Sequence, residues 1–157
     1  MNKVIVTISA GPQIYTPDPG QTPAQVAAGC GVTDPALYAE FDSADFDAEC
    51  YNFISAFSLS AGTVSFDLSV AKDLACNQEK ARIAELESSA ANGYSASQLA
   101  AQSALAKSSR VPEVQSAIEA LNALATELST NIAAITAATT IAEVDAIVNP
   151  STDQGEQ

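Results

Sequence analysis

From Val111 to Ile135 the apolar residues recur at alternating steps of three and four: Val111, Val114, Ile118, Leu121, Ala125, Leu128, Ile132 and Ile135. A stripe with that period sits on one face of an α-helix, and alternation of three and four is the a/d seam of a heptad repeat. The ladder limits the chain to folds in which one long helix offers an apolar edge to other helices. Run from Pro112 to residue 138, that helix is about 40 Å long.

With Val111 at position a, Glu113, Glu119 and Glu127 fall on the outer face. The positions flanking the seam hold Gln115, Asn122 and Ser129 on one side and Ala117, Leu124 and Asn131 on the other. None is charged, so ion pairs do not choose the partner or its direction. Ala117 and Leu124 widen the stripe, which suits several helices meeting. Three coverings stay open: an antiparallel helix of the same chain at residues 70–92, further copies of the chain, or a foreign partner.

The chain has 157 residues, of which 47% are hydrophobic, but much of that share is alanine and there is no Trp. Its helical part therefore gains by packing on a copy or a partner. The net charge is −13, and no Lys or Arg occurs between Val4 and Ala71. Bases that are few and scattered cannot follow a phosphate backbone, so nucleic acid is not an expected partner. The acidity fits solubility in a saline medium. The start, Met1 to Ile8, is too short an apolar run for a signal peptide, and no segment approaches the ~20 apolar residues of a membrane span. The expectation is a soluble protein synthesised in the cytoplasm, with no membrane partner.

Before the helices, residues 1–9 read as a strand ended by Gly11-Pro12, followed by a rigid loop at 16–23 and a short helix at 24–28. Asp34 and Pro35 look like the cap and first position of a helix carrying Leu37, Tyr38 and Phe41. Residues 51–59 and 64–70 are strand candidates joined by Ser60-Ala61-Gly62. From residue 70 the reading is helical: 70–92 stopped by Asn92-Gly93, a capped helix from Ser95, the ladder helix, and a last one after Thr140-Ile141-Ala142-Glu143.

Candidate chemistry is thin. Asp42, Asp45, Asp47 and Glu49 form one carboxylate cluster, but the glycine of a calcium-binding loop is missing, and a solvated acidic loop is expected. The absence of His excludes a Ser-His-Asp triad. Gly29-Cys30-Gly31 is a lone G-x-G without a following lysine. Cys30, Cys50 and Cys76 have neither disulfide-framework nor zinc spacing, so free thiols are expected, with a Cys30–Cys50 pair as the alternative. No cofactor and no catalytic or metal-binding residue is assigned.

The stretch Ala71-Lys72-Asp73-Leu74-Ala75-Cys76-Asn77-Gln78, the break Ala91-Asn92-Gly93-Tyr94-Ser95, the helix carrying Ile118, Leu121 and Leu128, and Ile135 to Val144 resemble virion proteins of tailed bacteriophages. Alanine-rich helices closed by such an Ala-Ala-Thr-Thr turn occur in tail-fibre, tail- and capsid-associated proteins and in tail-fibre assembly proteins. The resemblance implies a non-enzymatic structural component located in the virion, a symmetric homo-oligomer such as a trimer that also contacts other virion proteins. A tail-fibre assembly chaperone absent from the mature particle is the alternative.

The expected fold class is α+β: a strand-containing docking or surface module at 1–69, an alanine-rich helical hairpin or coiled-coil bundle at 70–149, and a disordered tail at 150–157. The expected interface residues are Val114, Ile118, Leu121, Leu128 and Ile132.

Overall fold

The computed structural model describes residues 2–150. The tail expected at 150–157 lies, apart from Pro150, outside the described residues. The fold is α+β, and the described residues divide into two compact units: residues 2–74 with 138–150, and residues 75–137.

In the first unit a three-stranded antiparallel sheet has β1 (Asn2–Ile8) at its centre, between β2 (Gly11–Tyr15) and β3 (Tyr38–Asp42). Its β-branched residues fit that place, because both faces of β1 are covered: Val4, Ile5 and Val6 are all fully buried. Each such burial contributes on the order of 2 kcal/mol. Val4 and Val6 meet Val26 and Ala27 of α1 (Pro23–Gly29), with Tyr15, Val32 and Tyr38 packed around them. Thr22 caps α1, and Gln25 reaches back to the Thr22 amide across 2.8 Å.

Two expectations about this unit are corrected. Gly11-Pro12 does not end strand structure; the chain reverses at Ser9-Ala10 and continues as β2, with Pro12 opposite Thr7 on an edge strand. Proline is tolerated there because an edge strand leaves one row of amides outside the ladder. Asp34 does cap a turn, accepting from the Ala36 amide, but only the single 3-10 turn Pro35–Leu37 follows. Tyr38 to Asp42 then pairs with β1, as Asn2 opposite Asp42 through Val6 opposite Tyr38.

The strand expected at 51–59 is also largely absent. Residues Ala48–Ala56 form 3-10 turns, broken at Phe53, and only β4 (Phe57–Ser60) is extended. β4 pairs with β5 (Thr63–Phe66) through a turn in which Ala61 and Gly62 both have positive φ, 50° and 79°. That is the backbone of a tight hairpin whose twist matches its strands. Beside it Phe57 centres an aromatic group, with Phe46 and Phe66 edge-on at 5.1 Å and Tyr51 at 5.8 Å.

The helix α2 (Leu68–Ala90) begins under an Asp67 cap that accepts from the Ser69 amide at 2.8 Å. Its first residues belong to the first unit and the rest to the second. Together with α3 (Ala96–Ser103) and α4 (Pro112–Ala137), residues 75–90 make up the second unit. The last helix, α5 (Ile141–Val148), belongs to the first unit. The division thus differs from a helical region running unbroken from 70 to 149. Ile141 and Val144 are buried, and Asn52 Nδ2 donates to Asp145 Oδ1 at 2.8 Å, which fastens α5 beside the 3-10 turns.

Candidate assembly surface

The ladder helix of the second unit extends over Pro112–Ala137, close to the span that its apolar period sets. It begins at Pro112, directly after Val111, since proline gives up no helical hydrogen bond at the first position. Four side-chain hydroxyls, those of Ser116, Thr126, Thr130 and Thr136, bond back to carbonyls one turn earlier. The hydroxyls of Ser116, Thr126 and Thr130 are thereby satisfied within α4 itself.

The seam residues are not equally covered. Val114 and Ile118 are buried within the single chain, whereas Leu121, Leu128 and Ile132 are half-buried and Val111 is 46% exposed. Ala117 is buried and Leu124 and Asn131 are half-buried, so one flank of the seam is drawn into the covered face. Against the first half of α4 lies α3, and Leu99 and Ala100 face Ile118 and Leu121 across a shallow groove of about 230 Å³. Leu105 and Leu86 also stand in solvent, at 44% and 40%.

The middle of α4 is held by a polar group to which the sequence reading assigned no role. Glu79 is only 1% exposed, because it occupies the same row of α2 as Ala71, Ala75 and Ile83, spaced by four. Arg82 grips its carboxylate with two nitrogens at 2.8 and 2.7 Å, and Asn131 of α4 donates to it at 2.6 Å. The same guanidinium pairs with Glu127 of α4. The pairing of 79 with 131 and 82 with 127 makes α2 and α4 antiparallel within this unit. The Arg82 hydrogen bonds hold the Glu79 carboxyl below the usual carboxylate range, against the opposing effect of burial. The signal in the sequence was a Glu on an otherwise small apolar row of a helix.

A second polar tie closes the α3–α4 connection. Arg110 donates to the Ser103 and Leu105 carbonyls at 2.7 and 3.2 Å and to Gln115 Oε1 at 2.9 Å. The exposed pair of Lys107 with Glu119, 2.7 Å apart, adds little stability by itself.

In the first unit the acidic run at 42–49 is taken up in turns. Asp42 accepts from the Ala44 amide at 3.0 Å, which lowers its pKa. Among the described residues no three His, Cys, Asp or Glu side chains converge as metal ligands would. All three cysteines are free thiols, and only Cys50 is buried; burial and the Asp47 carboxylate push its thiol up. No helix is long and apolar enough to cross a membrane among the described residues. Comparison with protein-family models, curated proteins and solved structures found no match for the chain.

Proposed function

We propose that the protein is a non-enzymatic structural component of a tailed-bacteriophage virion, of the tail, fibre or capsid-associated type, that assembles with copies of itself through its helical unit. The observation that carries this reading is the uneven covering of the ladder. Leu121, Leu128 and Ile132 keep part of their apolar surface in water, and Val111, Leu105 and Leu86 more. Burying such side chains is the main source of association energy between helices. The phage assignment is supported by the resemblance of residues 71–144 to virion proteins. In this reading the first unit docks on the particle or presents a surface.

Mass spectrometry of purified phage particles tests the assignment. Presence in a fixed ratio to the other virion proteins agrees with it. Abundance in the infected cell with absence from the particle favours the assembly chaperone, whose exposed seam would shield a tail partner.

A further inference from the structure

The first unit has a feature that neither its sheet nor its helices use. Beside the aromatic group lies an open groove of about 400 Å³, walled by Phe46, Phe66, Leu68 and Ile141, with Asp45 and Asp47 on its lining. The four apolar side chains belong to separate parts of the unit: the extended residue after the 3-10 turn Ser43–Asp45, β5, and the first turns of α2 and α5. Neither Asp45 nor Asp47 makes a hydrogen bond or ion pair from its side chain among the described residues. This differs from the neighbouring Asp42 and Asp67, whose carboxylates are occupied in capping.

We infer that this groove is a docking site for a partner-protein segment that carries an arginine or lysine between apolar side chains. Two properties of the lining select that occupant. An aliphatic stem fits against Leu68, Ile141 and the two phenylalanine rings, while a cationic head gains from the carboxylates of Asp45 and Asp47. Charge complementarity acts over a longer range as well. The described residues of this unit hold eleven carboxylates against Lys3 and Lys72, so a basic segment is drawn to it and an acidic one repelled. Cys50, Thr139 and Thr140 complete the lining, but both threonine hydroxyls are engaged by Glu143 at the start of α5, so the site commits to a cation on an apolar segment that meets the two carboxylates. It does not depend on the phage assignment.

The probe is the capped peptide Ac-Gly-Leu-Arg-Leu-Lys-Leu-Gly amide, with a counterpart in which Gln replaces Arg and Lys. Calorimetry gives affinity for the full chain, and the ring resonances of Phe46 and Phe66 report where the peptide sits. Saturable binding that shifts both rings is expected, weakened about tenfold by the Asp45→Asn/Asp47→Asn pair. The Asp18→Asn/Asp73→Asn pair removes the same charge away from the groove and is expected to leave binding within about twofold. Asp47 precedes its 3-10 turn without a side-chain cap, so its replacement spares the backbone. Should the double variant still fail to fold, the Gln peptide on the unaltered protein decides. The proposal is overturned by equal loss in both variant pairs, equal binding of the Gln peptide, or no saturable binding. It is also overturned if the two rings shift with protein concentration alone, which would make a second copy the occupant.

Discussion

Asn131 of α4 donates to the Glu79 carboxylate of α2 across 2.6 Å, and it is the one amide side chain that α4 offers to that buried charge. Glu79 is buried, while its other partner Arg82 keeps 42% of its side chain exposed. The consequences of removing either side are therefore unequal. Arg82→Ala leaves a buried carboxylate with one neutral donor and is expected to cost about 3 kcal/mol. Glu127→Ala removes an exposed partner of the same guanidinium and is expected to cost less than about 1 kcal/mol. Urea unfolding of both variants checks the order, and equal losses would contradict it.

The pH dependence follows from the lowered pKa of Glu79. A carboxyl whose folded pKa is depressed binds fewer protons in the folded state. Its contribution is complete above the unfolded value of about 4.3 and is lost as pH falls through the folded value. General repulsion at net charge −13 works the other way, easing as the carboxylates protonate. A difference measurement separates the two effects. The stability gap between the natural protein and Glu79→Gln is expected to be constant from pH 7 to 5 and to shrink below about pH 4. Thermal melts of both proteins across that range check it, and a gap that widens on acidification would contradict it.

The seam separates into residues buried within the chain and half-buried residues that the proposed assembly would cover. Ile118 is covered within the chain, so Ile118→Asp is expected to unfold the helical unit, with loss of helical circular dichroism at 25 °C. Leu128 is half-buried, so Leu128→Asp is expected to keep most of the helix signal but to lower the solution mass. Circular dichroism with light scattering distinguishes the two. Retention of mass by a folded Leu128→Asp would take Leu128 out of the interface.

Ala61 pays a conformational cost that glycine would avoid, since it holds a φ of 50° in the β4–β5 turn. Ala61→Gly is expected to raise stability by about 0.5–1 kcal/mol, and Gly62→Ala, at φ 79°, to lower it by a similar amount. Melting temperatures of the two variants moving in the same direction would contradict the turn geometry.

The helices were legible because their signals are local. Capping boxes at Thr22, Ser95 and Thr140 are all formed, though the sequence reading singled out only the last two. The sheet was less legible because β3 is set by a distant partner. Asp34-Pro35 promises a helix, and the promise holds for one turn before pairing with β1 takes over at Tyr38. In residues 51–59 the parity of Phe53 and Phe57 looks like a strand, yet both are buried from different backbone geometries, one in 3-10 turns and one in β4. Glu79 escaped notice because a charged residue on a buried row is recognisable only once Arg82, Glu127 and Asn131 are seen around it. The groove at Asp45 and Asp47 draws its walls from residues up to 96 positions apart, from Asp45 to Ile141, which no local pattern reveals.

Self-association through the helical unit is most directly tested by the solution mass of the isolated protein, measured by sedimentation equilibrium over a range of micromolar concentrations. The expected result is a fixed multiple of the 16.1 kDa chain that falls to one chain in Leu128→Asp. A single 16.1 kDa species at every concentration would contradict it.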